Sequence, residues 1–286
     1  MNPMNRTTCL AVLLAAAVVV SPWAHRVKGA EKDLTAMDVV VKANRVAYYQ
    51  GGDGRAQVKM TITDAQNRTR TREMTILRRD QPDPKAKTAD EKKKDDFCGD
   101  QKFYVYFHQP ADVNKMAFLV WKHLDKDDDR WLYLPGLDLV KRISSSDKRT
   151  SFVGSEFFYE DVSGRNINDD KHELLATSKT YYKLKSTPKD AKSVEFDHYI
   201  SWIHRESFVV VSQEYYDKKG QKIREYKALK MDRIQGFWTV TKSRMTDLRT
   251  KGNTVLEYTD VKYDLGMPED IFTERYLRRA PVAHLK

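Results

Sequence analysis

Residues 55–63 alternate between apolar and polar side chains, with Val58, Met60 and Ile62 on one face. A period of two residues predicts a half-buried β-strand. The polar residues 64–67 predict a turn, and residues 69–79 then return as a second strand. The first part of the chain is therefore expected to form an antiparallel meander.

Similar strand-length segments, separated by turn residues, occupy most of the remaining chain, and long helical patterns are absent between them. About ten or more antiparallel strands are more than an open sheet holds without curling. The pattern therefore predicts a mainly β fold (α+β) with one large curved antiparallel sheet. The further strands are expected at residues 101–108, 117–121, 131–134, 139–143, 181–186, 194–203, 208–216, 223–231, 237–247 and 255–264.

Few segments have helical periodicity. Residues 37–50 have apolar positions spaced as on one face of a helix, and Thr35 with Asp38 has the spacing of a capping box. Residues 170–176 suggest a short helix, and residues 266–272 suggest a turn followed by the start of another. One helix is too small to fill the concave side of so wide a sheet, so we expect a cavity between the helix and the sheet.

The first thirty residues have the features of a signal peptide. Arg6 precedes a continuous apolar run over residues 10–20, which is too short to span a bilayer comfortably. We expect cleavage near Gly29 or Ala30, and an uncleaved anchor is the alternative. Loss of residues 1–30, which contain three basic residues and no acid, lowers the formal net charge from +10 to +7.

The rest of the chain, residues 31–286, is predicted to be a single exported domain. Cys98 is its only cysteine, so the fold has no internal disulfide and depends on its core. Residues 80–96 are rich in Lys, Asp and Pro without periodicity, which predicts a flexible surface loop. Basic and acidic residues are mixed along the chain, and this favours a solvated surface over contacts with anionic lipid headgroups or acidic proteins. We expect no nucleic-acid partner.

Catalytic and metal-binding patterns are weak. His198 and His204 share a strand face but lie roughly 20 Å apart at the rise of a strand. The acidic run 127–129 lacks the Gly and terminal Glu of a calcium loop, and Gly154–Ser155 is not part of a nucleophile elbow. We therefore expect no enzyme activity, no metal site and no cofactor.

Aromatic residues around positions 131–159 are the candidate ligand-binding groups. Apolar walls with few polar groups suit acyl chains, and Arg142 is a candidate partner for a headgroup. Ordinary core packing is the alternative for each ring, because large aromatics dominate cores in any case. We expect residues 152–159 to form a lid. The candidate site residues are Trp131, Tyr133, Arg142, Phe152, Phe157, Phe158 and Tyr159.

The same stretch carries a resemblance to a known family. Its parts are RWLYLP at 130–135, VKRI at 140–143, SFVGSEF at 151–157 and YED at 159–161. Together with MPEDIFT at 267–273, these segments resemble the LolA-like outer-membrane lipoprotein-sorting family. The resemblance extends from the first helix to about Leu277.

The resemblance implies a curved, incomplete antiparallel barrel closed by the N-terminal helix and short helices. It also implies a periplasmic carrier that holds acyl chains of lipoproteins or other lipids in an apolar cavity for outer-membrane sorting. LolA carriers themselves are shorter and lack the central motif, so their specific cargo does not carry over to this chain.

Two other functions are open alternatives. The first is a non-enzymatic envelope subunit that works with an RND-type exporter or an assembly machine, because some relatives are associated with such exporters. The second is a barrel in the outer membrane, and the charges on both faces of residues 222–231 argue against it.

Overall fold

The computed structural model describes residues 34–81 and 99–286. These residues form one sheet of thirteen strands, which includes the segments predicted from the alternation of apolar and polar positions. The strands are β1 Asp53–Thr63, β2 Thr69–Asp80, β3 Gln101–Gln109, β4 Ala117–Lys122, β5 Asp129–Leu134, β6 Leu139–Arg142, β7 Asp170–Thr177, β8 Tyr181–Pro188, β9 His198–His204, β10 Val210–Tyr216, β11 Lys222–Ile234, β12 Phe237–Asp247 and β13 Gly252–Tyr263.

The sheet consists of two antiparallel meanders, β1–β6 and β7–β13, joined where β1 pairs with β13. Its order is β6-β5-β4-β3-β2-β1-β13-β12-β11-β10-β9-β8-β7, so β6 and β7 are the two edges and do not pair with each other. Residues from both meanders line one shared cavity, so the sheet curves around it. The predicted curved, incomplete antiparallel barrel is confirmed.

The connection from β6 to β7 runs from one edge of the sheet to the other and is called here the crossing segment, residues 143–169. It contains the short helix α2, Tyr159–Ser163, and two single turns of 3-10 helix. Its Phe152 packs against Phe107 and Phe118 of the sheet, with ring centroids 5.9 and 5.4 Å apart. The crossing segment therefore covers the concave face of the β1–β5 half of the sheet.

Helix α1, Ala36–Tyr48, is the predicted N-terminal helix and begins at the predicted capping box. The Asp38 amide donates to Thr35 Oγ1 at 3.1 Å, and the Thr35 amide donates to Asp38 Oδ2 at 2.8 Å. The apolar face of α1 buries Val39 and Ala43 against the β8 and β9 residues Tyr182, Leu184 and Ile203. This packing holds α1 on the concave side, opposite β1–β3.

The convex face of β2–β5 is covered by the C-terminal residues after β13. These residues include a 3-10 turn, Glu269–Phe272, and helix α3, Arg275–Arg278. Phe272 and Leu277 are fully buried there against Leu119 and Tyr104. The first half of the sheet therefore has a packed layer on each of its faces.

The helix predicted at residues 170–176 is wrong, because these residues form the edge strand β7. β7 pairs only with β8, and most of its side chains are exposed. An edge strand whose two faces are both exposed to solvent needs no apolar side chain at every second position. Its sequence therefore did not show the two-residue alternation that identifies a strand.

Residues 34–286 cluster into one compact unit. The predicted signal peptide, the predicted loop at 80–96 beyond residue 81, and Cys98 lie outside the described residues. None of the helices in residues 34–81 and 99–286 has both the length and the apolar composition needed to cross a membrane.

Candidate functional site

A cavity of about 390 Å³ lies between α1, the crossing segment and the concave face of the sheet. Strands β1–β3 and β7–β13 all contribute side chains to its wall. Proteins bind drug-sized ligands in cavities of roughly 300–1,000 Å³, so this volume suits one small ligand or one chain of a larger lipid.

One wall of the cavity is apolar. It combines residues of β1–β3 with two rings of the crossing segment, and these residues belong to the main hydrophobic core. Strand alternation explains the arrangement, because every second residue of β1 and β2 points to the concave face. The apolar wall consists of Val58, Met60, Met74, Ile76, Phe103, Phe152 and Phe157.

The wall continues from β1 onto β13, β12 and β11, where hydroxyl groups lie among the apolar residues. Tyr226 on β11, Ser243 on β12 and Tyr258 on β13 line the cavity, and Ser243 interacts with both phenols. Burial raises the pKa of Tyr226 to about 12 and raises that of Tyr258 as well. Both phenols are therefore uncharged at neutral pH.

The hydroxyl groups continue across the neighbouring strands. The Tyr215 hydroxyl donates to Gln213 Oε1 at 3.2 Å, and Gln213 Nε2 donates to Ser201 Oγ at 3.1 Å. The Tyr199 hydroxyl donates to Asp170 Oδ2 at 2.9 Å. All of these residues except Asp170 line the cavity.

The cationic side chains that line the cavity have partners of their own. Arg55 pairs with Asp260 at 2.8 Å, and Arg165 pairs with Asp170 at 2.9 Å. Arg78 Nη1 donates to the Tyr48 carbonyl at 2.7 Å, which holds the end of α1. These guanidinium groups hold the walls together and already have partners for their charge.

Buried ion pairs attach the crossing segment to the second half of the sheet. Arg224 of β11 has no exposed surface and donates to Asp161 of α2 and to the carbonyl oxygen of Glu156. Arg149 donates to Glu160 at 2.9 Å and to Glu195 at 2.6 Å. Burial acts to raise the pKa of Asp161, but the charges of Arg224 and Arg149 outweigh burial and hold this pKa below its ordinary value.

Four of the predicted site residues lie on the crossing segment, and two of them, Phe152 and Phe157, line the cavity. Tyr159 is buried in the core beside Phe152, with ring centroids 5.5 Å apart. Phe158 lies between two cations, with its ring centroid 4.0 Å from Arg224 and 4.7 Å from Arg149. These two rings hold the crossing segment in position beside the cavity.

The other three predicted residues, Trp131, Tyr133 and Arg142, lie on the convex face and do not line the cavity. Trp131 and Tyr133 alternate along β5 with Leu132 and Leu134, whose side chains pack into the concave core. Trp131 contacts Trp121 at 5.0 Å between ring centroids, under the C-terminal residues. Arg142 is largely exposed, pairs with Asp129 and lies over the Trp131 ring.

The hydroxyl-bearing wall was missed in the sequence analysis. Tyr215, Tyr226 and Tyr258 lie in predicted strands, and the high Tyr content of the chain was the available signal. Alternation assigns each Tyr to a face of its own strand, but the pairing of β10–β13 is needed to bring the three together.

The described residues contain no group of three or more His, Cys, Asp or Glu side chains that could hold a metal ion. The cavity offers apolar contacts and hydrogen bonds from hydroxyl and amide groups, beside guanidinium groups that are paired with carboxylates. Such an arrangement can bind and orient a ligand.

Two solved structures of similar sequence share this fold. A DUF1329 family protein from Desulfovibrio piger is 27% identical, with a TM-score of 0.73, over 85% of this chain and 97% of that chain. A domain named as an outer membrane lipoprotein-sorting protein, from Vibrio parahaemolyticus, is 27% identical, with a TM-score of 0.74, over 85% of this chain and 98% of that chain.

A LolA superfamily protein from Nitrosomonas europaea has the same fold, with 22% identity and a TM-score of 0.62, over 85% of this chain and all (100%) of that chain. The protein thus has a LolA-like fold, and the predicted resemblance to outer-membrane lipoprotein-sorting proteins is confirmed. A family model described as "-like: Uncharacterized protein" matches residues 99–279, and the chain belongs to that family. No curated protein matches the sequence.

Proposed function

We propose that this protein is a non-enzymatic periplasmic carrier that holds an acyl chain of a lipoprotein or another lipid in its cavity for outer-membrane sorting. The observation that carries the proposal is the cavity of about 390 Å³ with an apolar wall, between the curved sheet and the crossing segment. Phe152 and Phe157 are the residues of the sequence-predicted site that we propose as ligand contacts.

The physical basis is the removal of an acyl chain from water. Each buried methylene contributes about 0.8 kcal/mol to binding, so a chain that fills an apolar cavity binds without strong polar contacts. Val58, Met60, Met74 and Ile76 provide such a surface on two adjacent strands.

One hydroxyl–imidazole pair lines the cavity, with Ser186 Oγ 2.8 Å from His172 Nδ1, and the other ring nitrogen of His172 contacts the carbonyl oxygen of Ile167 instead of a carboxylate. The proposal of binding without turnover therefore rests on the apolar wall.

The proposed periplasmic location rests on two observations. Residues 1–30 have the sequence pattern of a signal peptide. The similar domain from Vibrio parahaemolyticus is named for outer membrane lipoprotein sorting. A carrier between two membranes needs to bind its lipid out of contact with water and release it again, and a half-barrel with open edges suits that task.

A pair of tryptophan substitutions on one strand tests the proposal. Ala56 of β1 lines the cavity, so Ala56→Trp directs an indole into it. Lys59 on the same strand is exposed and does not line the cavity, so Lys59→Trp is the matched control. Binding of a fluorescent acyl probe is measured for both variants and for the unchanged chain, residues 31–286.

We expect the unchanged chain and Lys59→Trp to bind the probe with the same affinity, and Ala56→Trp to lose at least tenfold, or about 1.4 kcal/mol. Circular dichroism of Ala56→Trp checks that the fold is retained. Equal binding by both variants, or no binding by the unchanged chain, would contradict the carrier function.

The second candidate function is an interaction subunit for a membrane transport protein. The observation that favours it is the pair of edge strands, because neither β6 nor β7 has a second neighbour among the described strands. Exposed edges can accept a strand from a partner. Capture of a membrane protein by lipid-free chain, lost after proline substitution in β7, would favour this function.

A further inference from the structure

We infer that the cavity selects a single-chain amphiphile whose uncharged polar group, an ester or a hydroxyl, binds inside the cavity. This inference rests on the proposed function, because it names the class of lipid for the same site. It depends on hydroxyl groups that line the cavity beside the apolar wall. The hydroxyl wall is defined here as Ser186, Ser201, Tyr215, Tyr226, Ser243 and Tyr258.

The hydroxyl wall is built by one half of the sheet. Its members lie on β8–β13, one on each strand, whereas the cavity-lining residues of β2 and β3 are apolar apart from Arg78. Apolar residues such as Leu184 and Met245 separate the hydroxyl groups. A hydrocarbon alone matches the first half of the sheet but makes no hydrogen bond with the hydroxyl wall, whose members otherwise contact protein neighbours such as His172, 2.8 Å from Ser186 Oγ.

Counting donors shows that the hydroxyl wall has unused hydrogen-bonding capacity. Tyr226, Ser243 and Tyr258 supply three O–H donors, since each hydroxyl has one hydrogen and two acceptor sites. The two contacts of Ser243 with the phenols use at most two of these hydrogens. One O–H at the junction of β11, β12 and β13 is therefore not used within this trio and can be donated to a ligand acceptor.

The charges at the cavity decide which polar group fits. Both phenols are neutral near pH 7, because an ordinary phenol has a pKa of about 10 and burial raises the pKa of both further. In the part of the chain that the structure describes, the four guanidinium groups that line the cavity each pair with a carboxylate: Arg55, Arg78, Arg149 and Arg165. A phosphate or carboxylate headgroup would thus meet no unpaired cation among the described lining residues, whereas an ester carbonyl or an alcohol needs only the neutral donors and acceptors present.

Three competitors of equal chain length test the selection. Monolauroylglycerol has an ester and two hydroxyls, and dodecane has no polar group. Each competes with the fluorescent acyl probe for the chain spanning residues 31–286, and laurate at pH 8 serves as the charged competitor. We expect monolauroylglycerol to compete at least tenfold more strongly than dodecane or laurate.

The variant Tyr226→Phe/Tyr258→Phe removes two phenol hydroxyls and keeps both rings. We expect it to lower the affinity for monolauroylglycerol roughly tenfold and to leave the affinity for dodecane unchanged. Tyr181→Phe is the matched control, because Tyr181 is exposed and does not line the cavity. Its affinities should equal those of the unchanged chain.

The outcomes separate this inference from the proposed carrier function. If all three competitors displace the probe equally, or if the double variant keeps its preference for monolauroylglycerol, the selection is wrong while the lipid-binding function stands. If laurate competes best, the selected group is charged and the inference is overturned. If the chain does not bind the probe at all, both proposals fail.

Discussion

The ion pair between Arg224 and Asp161 is the contact on which the position of the crossing segment most depends. Arg224 has no exposed surface, and two of its guanidinium nitrogens have no hydrogen-bond partner among residues 34–81 and 99–286. Asp161 is its carboxylate partner, and Asp161 Oδ2 also accepts the Phe158 amide at 2.7 Å. Asp161→Asn removes the charge and retains an oxygen that can accept this amide.

Loss of one partner from a buried ion pair costs about 3–5 kcal/mol, because it leaves the other charge uncompensated. The free energy of unfolding of Asp161→Asn should therefore fall by about 3 kcal/mol, toward the lower limit, since the amide oxygen is kept. Replacing the cation as well, in Asp161→Asn/Arg224→Met, should recover more than half of this loss.

Urea unfolding, monitored by circular dichroism, measures these differences in the free energy of unfolding. The comparison requires that the dependence of this free energy on urea concentration is the same in each variant. The control is Glu257→Gln, which breaks an exposed pair with Lys242 and should cost less than about 1 kcal/mol. Because the pKa of Asp161 is lowered in the folded state, its contribution is fully present above the unfolded pKa and is lost as pH falls through the folded pKa. Unchanged stability of Asp161→Asn, or no recovery in the double variant, would refute this reasoning.

Three further predictions concern single positions. Thr35→Ala removes the acceptor of the Asp38 amide and should lower the free energy of unfolding by about 1 kcal/mol in urea; no change would show that the cap is unimportant. Gly164 has φ of +77°, and an added Cβ would lie 2.5 Å from the Tyr48 ring, so Gly164→Ala should cost about 1–3 kcal/mol and lower Tm. An equal or higher Tm would contradict this. Burial raises the pKa of Tyr226 to about 12, whereas the unfolded phenol titrates near about 10, so stability should fall as pH rises through this interval. Tyr226→Phe should reduce that fall, and an identical pH profile would argue against a buried neutral phenol.

Much of the fold could be predicted because local rules act within one element. The alternation in residues 55–63 identified β1, and the Thr35–Asp38 spacing identified the start of α1. β7 was mistaken for a helix because an edge strand is not constrained by a buried face. The local sequence pattern therefore predicts an element best where one face of that element packs against the core.

The site was harder to predict because it depends on which face of the sheet is concave. Alternation places Trp131 and Tyr133 on one face of β5, but the C-terminal residues that cover this face come more than a hundred positions later. Phe152 and Phe157 reach the cavity only because the crossing segment joins the two sheet edges. These relations between distant strands are set by tertiary packing.

Native mass spectrometry of residues 31–286, purified from the cell envelope without detergent, tests the carrier function most directly. The carrier function predicts a second species, heavier than the chain by the mass of one lipid, which organic extraction removes and added lipid restores. A chain that always has its bare mass, before and after incubation with lipid, would contradict it.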